Sequence, residues 1–598
     1  MASNQGEVTP ERVEGSVGEA IRNGRMLLQK DPRMALAQAQ AILRRDRANV
    51  PALYLASSAH RVLGEGANAR NAEAAALKLS GADPELRRIG DLLGNREFAQ
   101  ATKLIEMRRR AVPEDLVAMT FLAEIAISEG MPDIAEPLLE KVLSRAPNFR
   151  PAESLHMRML LGLDRHVELR SLIEKFLQQQ PDDLTALKLL SRVLSDLQDY
   201  EAAVELGRTI VRLEPKEAQN WVGFGEVLRF NGRKDEAREA FRRALEVNPD
   251  HGHAWWHLAS IDAAMLTDED LAEMKAALAR GDAESESAGN LNFAIAVYLD
   301  KQGRYAEAYE YFAAGNALRH AAQPYDPLEL TQKTTAHLER LPASAIPART
   351  SAPENEKTPI FILGMPRAGS TLLERALGQH SQIEGMGELP LVPHMVKRLG
   401  REEAPIDKSI AGISPEQLAE FRSTYLDRAS ERMRTTGSHF IDKLHMNWKH
   451  LPLILRMLPS AIVIDIRRNA MDCCWSNQKT LFSRGHPAAS DQKALAQFYR
   501  DYVRMCDTIR ERAPERIHFL RYENLVEDFD GEMTRLFDHI GLEFEDACRE
   551  FHKSTAPVAT ASSEQVREPL NKKGFGAAEP YRQWLGDLEA KLGELASA

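Results

Sequence analysis

Five prolines recur at an unbroken interval of 34 residues in the first half of this 598-residue chain. A fixed period of about 20 to 50 residues is typical of chains that stack one small structural unit on the next, each packing mainly against its neighbours. The interval therefore predicts an elongated helical solenoid for this part of the chain. The prolines are Pro113, Pro147, Pro181, Pro215 and Pro249.

The residues before the last of these prolines show how one unit would pack. The small residues Gly225 and Ala237 would let two helices cross closely, and aromatic side chains would fill the groove between them. The matching positions are Trp221, Phe224, Gly225 and Leu228 on a first helix and Ala237, Phe241 and Ala244 on a second. By its period and its packing pattern, this segment is identified as a series of tetratricopeptide repeats (TPR).

Further helical pairs are expected on both sides of this series. One lies near Ala35 to Leu79, and another runs from about Asn290 to Leu318, where Ala308 and Phe312 keep the expected offset. Between the last proline and the second pair, residues 266–289 are acidic and small, which predicts an irregular pair or a loop. Solenoids of this kind commonly bind a peptide or another protein on their concave face, so a protein partner is expected. The alternative is a solenoid that only buttresses the second half of the chain.

The sequence pattern changes after residue 320. Residues 321–357 are rich in Pro, Ala, Ser and Thr and have no apolar period, so they are predicted to form a linker. Short apolar runs then alternate with helical stretches: PIFILG, SAIVIDIRR and RIHFLRYENLV. This alternation predicts parallel strands buried under helices. The predicted organisation is an all-α TPR solenoid at residues 16–320, the linker, and an α/β domain with a parallel sheet at residues 358–598.

Length, charge and cysteine content set broad limits on function. A chain of 598 residues exceeds what one hydrophobic core supports, so at least two domains are expected. The formal net charge of −11 argues against nucleic acid as a partner. The four cysteines show no zinc-site spacing and are too few to cross-link the chain, which favours a reducing compartment. With neither a signal peptide nor an apolar run of about 18 residues, the sequence predicts a cytoplasmic protein without a membrane anchor.

A glycine-bounded loop, residues 364–371 with the sequence GMPRAGST, joins the first predicted strand to a helix. A strand, a tight loop and a helix N-terminus gather backbone N–H groups around one small volume, which suits a phosphate or sulfate. Gly364 and Gly369 have the spacing of a nucleotide P-loop, yet Ser370 occupies the position where that motif has Lys. Arg367, within the loop, can supply a fork of donors for anion oxygens.

The loop segment PRAGST resembles the PRSGTT loop of the tyrosylprotein sulfotransferases and their bacterial relatives. A second segment, SAIVIDIRRNAMDCCWSNQK, places Arg468 and Ser476 at the spacing with which that family holds the 3′-phosphate of its sulfuryl donor, 3′-phosphoadenosine 5′-phosphosulfate (PAPS). RYENLV and TASSEQVREPLNKKGFG resemble two further donor-side segments. The likeness covers about residues 358–590, is greatest to bacterial TPR sulfotransferases, and implies a P-loop-like sulfotransferase domain that uses PAPS and no metal. The implied donor-binding residues are Arg367, Ala368, Gly369, Ser370, Thr371, Arg468, Ser476, Tyr522, Ser562, Gln565, Val566 and Arg567, with the pair Lys572 and Lys573 nearby.

The same resemblance implies residues for the acceptor side. Glu388, in EGMGELP, falls where tyrosylprotein sulfotransferases carry a catalytic base, and Lys443, in FIDKLHMN, matches a lysine beside the bridging oxygen and the sulfonate. Lys443 and Arg367 would together stabilise the charge that grows in the transition state. The stretch from Lys443 to His445 also reproduces the Lys-x-His of small-molecule cytosolic sulfotransferases, in which His is the base. Glu388 is favoured as the base, and His445 is the alternative.

The sequence thus predicts a sulfotransferase whose acceptor hydroxyl is left open among a protein tyrosine, a glycan and a small phenol. Two other interpretations have less support. A P-loop kinase or nucleotidase is disfavoured by Ser370 in the lysine position and by the second donor segment. A non-catalytic TPR adaptor with a degenerate donor fold is disfavoured by the intact set of Arg367, Lys443 and Glu388.

Overall fold

A computed structural model of the protein describes residues 16–341, 346–399, 413–482, 486–554 and 565–597. The chain forms two compact units, Met1–Arg165 and His166–Ala598. The division falls within the helical array, so the later repeats share a unit with the sheet, while the domain boundaries at residues 320 and 358 remain predictions. Within the described ranges, no helix is both long enough and apolar enough to cross a bilayer.

The first unit contains nine helices in its described part. Several begin at an aspartate that satisfies the free N–H groups of a helix N-terminus, since the carboxylates of Asp31, Asp83 and Asp115 each accept two backbone N–H bonds. Fully buried residues such as Ala39 and Ile105 pack between neighbouring helices. The helices are α1 Val17–Lys30, α2 Pro32–Arg45, α3 Val50–Val62, α4 Gly66–Ser80, α5 Pro84–Gly94, α6 Phe98–Ala111, α7 Leu116–Ser128, α8 Pro132–Arg145 and α9 Arg150–Gly162.

Nine further helices of the array open the second unit. The predicted close crossing within a repeat is confirmed, because a β-carbon on Gly225 would lie only 2.5 Å from the Phe241 ring. A residue larger than glycine would therefore force these two helices apart. The helices are α10 His166–Leu177, α11 Leu184–Asp196, α12 Tyr200–Leu213, α13 Ala218–Phe230, α14 Lys234–Val247, α15 Gly252–Asp262, α16 Asp268–Arg280, α17 Glu286–Lys301 and α18 Tyr305–Ala322.

The structure gives a physical role to two of the periodic prolines. The indole N–H of Trp221 donates to the carbonyl oxygen of Pro215 at 2.9 Å, and that of Trp255 donates to Pro249 at the same distance. Proline cannot continue the preceding helix, and its carbonyl is left to accept a bond from the next one. The same contact therefore occurs at two consecutive repeat junctions, where it holds α13 and α15 against the proline that precedes each.

Two segments contain more helix than a loop or linker would. Residues 266–289 include α16, which starts at a capping box between Thr267 and Asp270, so the irregular helical pair is the alternative that the structure bears out. The predicted linker contains α19, Pro327–Arg340, with the Asp326 side chain capping it and Pro327 at its first position. The Thr331 hydroxyl on α19 donates to the Asp501 carboxylate at 2.6 Å, which ties this helix to the domain that follows.

Five parallel strands form one sheet: β1 Thr358–Leu363, β2 Ile383–Gly385, β3 His439–Asp442, β4 Ile462–Arg467 and β5 Ile517–Arg521. Their order is β2-β3-β1-β4-β5, with Ile360 of β1 opposite Ile441 of β3 and Ile362 of β1 opposite Ile464 of β4. The runs PIFILG, SAIVIDIRR and RIHFLRYENLV are confirmed as β1, β4 and β5. Near-continuous burial of β1 and β4 explains their unbroken apolar sequence.

Helices and short 3₁₀ turns connect the strands. The strand order puts β1 where the direction of winding changes, and ligands of such sheets commonly bind in the crevice at the carboxyl ends of the strands there. The helices are α20 Ser370–Leu377, α21 Leu391–Leu399, α22 Pro415–Ser430, α23 Leu451–Met457, α24 Ala470–Gln478, α25 Gln492–Arg512, α26 Tyr522–Glu527, α27 Phe529–Ile540 and α28 Gly586–Leu592. The 3₁₀ turns in the described residues are Ala263–Met265, His445–His450, Pro487–Ser490, Pro514–Arg516, Asp546–Lys553, Gln565–Arg567, Glu579–Trp584 and Gly593–Ser597.

Candidate active site

Each of the five strands is followed closely by a residue that the sequence singles out. Arg367 comes after β1, Glu388 after β2, Lys443 directly after β3, Arg468 directly after β4 and Tyr522 directly after β5. Because the strands are all parallel, their carboxyl ends lie at one edge of the sheet. The fold therefore brings residues from five separate segments to a single edge.

The loop after β1 has the backbone conformation expected of an anion cradle. Arg367 has φ 68°, and Gly369, which precedes α20, has φ 101° in the left-handed region that favours glycine. A β-carbon on Gly369 would also collide with the ring of Tyr522. Ser370 and Thr371 begin α20, so the positive end of this helix adjoins the loop. The predicted strand, loop and helix are all present.

Two guanidinium groups and a hydroxyl converge beside this loop. Arg367 Nε donates to the Ser476 hydroxyl oxygen at 3.1 Å, and Arg468 Nη1 donates to the Arg367 carbonyl oxygen at 3.4 Å. Burial and the nearby charge of Arg468 lower the pKa of Arg367 to about 10. Ala368, next in the loop, is buried. Because two partly buried cations repel each other, this arrangement favours an anion that would neutralise them.

The C-terminal segment packs against the same residues. Arg468 donates to the carbonyl oxygen of Gly574 and lies 3.9 Å from the Asp472 carboxylate. That carboxylate accepts backbone N–H bonds from Gly576 and Ala578 at 2.8 and 2.9 Å. Arg468 and Asp472 thus hold residues 574–578 next to the loop that carries Arg367.

The other predicted donor-binding residues of the C-terminal segment lie in different surroundings. Val566 is buried, whereas the Arg567 guanidinium lies against the turn after α13, with Nη2 3.5 Å from the Phe230 carbonyl oxygen. Gln565 begins a short 3₁₀ turn, and Ser562 lies outside the described residues. Arg567 therefore contacts a TPR turn, and the donor role of these four residues stays a prediction.

Lys572 and Lys573 are exposed and paired with carboxylates. Their Nζ atoms lie 2.8 Å from Glu527 and Glu568, respectively. Exposed ion pairs contribute little to stability, so each ammonium group can leave its carboxylate and pair with another anion.

Lys443 is buried between two carboxylates. Its side chain is 2% exposed, with Nζ 2.9 Å from Glu388 Oε1 and 3.8 Å from Glu374 Oε2. Burial alone would lower the pKa of Lys443, but attraction to Glu388 and Glu374 outweighs it and raises that pKa. Burial likewise opposes ionisation of Glu388, but Lys443 and His445 lower its pKa below the usual value. At neutral pH the pair is an ammonium next to a carboxylate that can accept a proton.

Glu374 is a candidate that the sequence motifs missed. It lies on α20, one turn beyond the phosphate loop, and its carboxylate accepts the Gly387 N–H at 2.7 Å while facing Lys443. Burial raises the pKa of Glu374, and the charge of Lys443 works against that rise. Glu374 thus connects the helix after the phosphate loop to the loop that carries Glu388. Its sequence signal was a single acidic residue within LLERAL, which is common on solvated helices.

His445 lies within electrostatic reach of the same pair. It opens the turn His445–His450, and burial lowers its pKa to about 4, so the imidazole is neutral at neutral pH. Its Nε2 is buried and has no hydrogen-bond partner in the described part of the chain. Glu388 and His445 are both in a proton-accepting form, so both remain candidates for the base.

The TPR helices of the second unit also reach this site. The Gln198 amide donates to the Met386 carbonyl oxygen at 2.8 Å, and Arg434 Nη2 donates to the Leu197 carbonyl oxygen at 2.6 Å. Gln198 lies in the turn after α11, and Met386 is two residues before Glu388. A repeat turn therefore holds the loop that carries a candidate base. Nothing in the local sequence pattern signals this contact.

Comparison with known families agrees with the fold. Residues 359–546 match the sulfotransferase family, and residues 222–262 match the tetratricopeptide repeat. The chain therefore combines a segment similar to the sulfotransferase family with a segment similar to the tetratricopeptide repeat. The family resemblance and the fold class predicted from the sequence are both confirmed.

Individual relatives show similarity to one or both parts. An uncharacterised protein of Aquifex aeolicus (strain VF5) is 26% identical over 79% of this chain and 58% of its own length. A putative protein-tyrosine sulfotransferase of Caenorhabditis briggsae is 22% identical over 36% of this chain and 79% of its own. Among solved structures, the sulfotransferase domain of the Synechococcus PCC 7002 olefin synthase is 19% identical, covering 39% of this chain and 98% of that one, with a TM-score of 0.25. The chain spans less than two thirds of the Aquifex relative's length.

Proposed function

We propose that this protein transfers a sulfuryl group from PAPS to a hydroxyl group of an acceptor. The observation that carries the proposal is the arrangement of cations at the carboxyl edge of the sheet. Arg367 and Arg468 lie together beside the glycine loop and repel each other there, while Lys443 is paired with Glu388. Two neighbouring guanidinium groups can hold an anionic group, while a lysine paired with a carboxylate can stabilise charge and accept a proton. Such a site suits transfer of an anionic group to a neutral nucleophile.

The donor would be held by the loop and by the second donor segment. The backbone N–H groups at the start of α20 and the Arg367 guanidinium would bind the 5′-phosphosulfate. Arg468 and Ser476 would bind the 3′-phosphate, because one donates charge-assisted bonds and the other supplies a hydroxyl next to Arg367. Tyr522, packed on Gly369, would limit the space for the nucleotide.

The chemical step breaks the bond between sulfur and the bridging oxygen of the phosphosulfate. The acceptor oxygen supplies the electron pair of the new S–O bond, its proton passes to Glu388 or His445, and adenosine 3′,5′-bisphosphate leaves. Lys443 and Arg367 would stabilise the negative charge that grows on the leaving phosphate and the sulfonate. Glu388 is a weaker base than an unpaired carboxylate because Lys443 lowers its pKa, but it is ionised at neutral pH.

A tyrosine hydroxyl of a protein is the first acceptor to test. Two relatives are named protein-tyrosine sulfotransferases, and TPR repeats commonly bind proteins, which supports a macromolecular acceptor or partner. All four cysteines are buried and free, which supports the cytoplasm as the compartment.

A thermal-shift comparison tests the donor directly. Adenosine 3′,5′-bisphosphate should raise the Tm of the full chain, since a ligand at 100 times its Kd adds about 2.7 kcal/mol of stability. Adenosine 5′-monophosphate, which lacks the 3′-phosphate, is the matched control and should stabilise less. Equal or greater stabilisation by ATP with Mg²⁺ would point to a kinase or nucleotidase instead. Failure of every nucleotide to bind would favour the adaptor interpretation.

A further inference from the structure

Three side chains with metal-binding atoms meet between the first helices of two consecutive repeats. Glu226 lies on α13, while His253 and His257 lie four residues apart on one face of α15. One ligand atom from each residue lies within 4.8 Å of the other two. His257 Nε2 is 3.0 Å from Glu226 Oε1, and the centroids of the two imidazoles are 4.6 Å apart.

His257 is buried, and neither of its ring nitrogens makes a well-aligned hydrogen bond. Its side chain is 5% exposed; Nε2 approaches Glu226 without hydrogen-bond alignment, and Nδ1 has no partner among the residues that the structure describes. An unsatisfied polar atom in the interior costs free energy, and a bound cation would satisfy one of the two nitrogens. The Phe241 ring stacks on His257 at 4.9 Å between centroids with planes 10° apart, which fixes the orientation of the imidazole.

The charged residues around Glu226 leave its carboxylate available to bind a metal ion. Arg229, one turn beyond Glu226 on α13, interacts with it electrostatically. Its guanidinium lies over the Phe230 ring at 5.1 Å, and no ion pair or hydrogen bond joins it to Glu226 in the described structure. His251, nearby at the start of α15, is engaged as the helix cap through its side chain. Glu226 can therefore face a second cation.

We propose that Glu226, His253 and His257 bind a Zn²⁺ ion that joins two consecutive TPR repeats. Two imidazole nitrogens and one carboxylate oxygen are a recurrent zinc ligand set, with bonds of about 2.0–2.2 Å, so ligand atoms at tetrahedral angles lie roughly 3.3 Å apart. The 3.0 Å separation between His257 Nε2 and Glu226 Oε1 is close to that value, and a change of rotamer at the half-buried His253 would bring its ligand atom to a similar distance. Mg²⁺ and Ca²⁺ prefer all-oxygen ligands and do not suit the two imidazoles.

The bound ion would stabilise one interface of the repeat array. Stability of a repeat protein is approximately the sum of its repeats and their nearest-neighbour interfaces, so a link between α13 and α15 stabilises both neighbours. Three protein ligands leave a fourth coordination position for water or for a donor atom of a bound protein. The site contains none of the residues assigned to sulfuryl transfer, so it stands or falls independently of the proposed function.

Metal binding by the full chain tests the proposal. After its metals have been removed with a chelator, the protein should bind one equivalent of Zn²⁺ per chain. Its Tm should be higher with Zn²⁺ than with Mg²⁺. When Co²⁺ replaces zinc, the protein should show the visible absorption of four-coordinate Co²⁺. His253→Ala should lower the zinc affinity by about 100-fold or more, because even outer-shell changes cost about 10–100-fold. Glu226→Gln should weaken binding in the same direction.

The chain offers a matched control. His60 also lies beside a glutamate, with Nδ1 2.6 Å from Glu65 Oε2, but among the described residues this pair belongs to no group of three metal-binding side chains. His60→Ala should keep the full zinc affinity and Co²⁺ spectrum. Absence of zinc binding in the unaltered chain, or equal binding by the unaltered chain and His253→Ala, would overturn the proposal. Because His253 is only half-buried, its variant should fold, and a circular-dichroism spectrum like that of the unaltered chain would show that it does.

Discussion

Gln198 closes directly over Gly387: a β-carbon on that glycine would lie 2.8 Å from the Gln198 side-chain nitrogen. Gly387 has φ 71° and precedes Glu388, so both its conformation and its surroundings require glycine. The same Gln198 nitrogen donates to the Met386 carbonyl oxygen. A turn of the repeat array therefore determines where a candidate base stands.

Gln198→Asn should reduce turnover without weakening donor binding. The shorter side chain cannot reach Met386, while asparagine tolerates the φ of 58° at this position, so the turn itself should keep its conformation. Loss of one hydrogen bond of about 1 kcal/mol corresponds to roughly a fivefold lower kcat. Steady-state kinetics and donor titration check this, and a loss of donor affinity equal to the loss of kcat would contradict it.

Arg468→Ala and Ser476→Ala should each weaken donor binding through the 3′-phosphate. Each removes a charge-assisted hydrogen bond worth about 1.5–3 kcal/mol. Calorimetric titration with adenosine 3′,5′-bisphosphate and with adenosine 5′-monophosphate separates this effect from general damage, because the second ligand lacks the phosphate. Arg468 also holds Gly574, so only the difference between the two ligands is diagnostic. Equal losses for both ligands would show that these residues do not read the 3′-phosphate.

The base is tested by Glu388→Gln and His445→Ala. If Glu388 is the base, the Gln variant should lose ~10²-fold or more in kcat, whereas the Ala variant should lose much less. Both should keep their donor affinity, because neither residue is assigned to phosphate. The reverse ranking would make His445 the base and favour a small phenol as the acceptor. Normal turnover by both variants would mean that the acceptor needs no base.

Acidification should remove the stabilising effect of Glu388. Its pKa in the folded protein lies below the ordinary value of 4.5, so its pairing with Lys443 stabilises the fold fully above that value and is lost as the pH falls through the lowered pKa. The difference in unfolding free energy between the unaltered protein and Glu388→Gln should therefore shrink below about pH 4.5. Denaturant unfolding at a series of pH values measures it, and a difference that stays constant with pH would contradict the assignment.

Much of the fold could be predicted because its signals are local. The glycine loop and the long apolar runs of β1, β4 and β5 each lie within a few consecutive residues, and the proline period is a fixed spacing that can be read along the chain. By contrast, β2 has three residues and β3 has four, too few for a strand pattern to stand out. The helix α19 had a usable signal, Asp326 followed by Pro327, but the surrounding composition of a linker obscured it.

The residues of the candidate site likewise divide into those with a local sequence signal and those without one. Lys443 and Arg468 follow strands directly and Arg367 comes four residues after β1, so a motif and a strand together locate them. Glu374 and Gln198 act through contacts between distant segments, and no spacing along the chain encodes such a contact. The pair His253 and His257 did carry a local signal, since residues four apart share one face of a helix.

The aromatic packing between the last repeat and the sheet bears on how the protein can be dissected. Trp475 of α24 lies 5.7 Å from Phe312 and 6.0 Å from Tyr309 of α18, and Tyr309 also stacks on Trp584 at 5.2 Å between ring centroids. A fragment that begins at residue 358 would carry these tryptophans to its surface, and a contiguous apolar patch of that kind promotes aggregation. A fragment that begins at His166 keeps the aromatic contacts covered, so it should be expressed in more soluble form than a fragment that begins at residue 358.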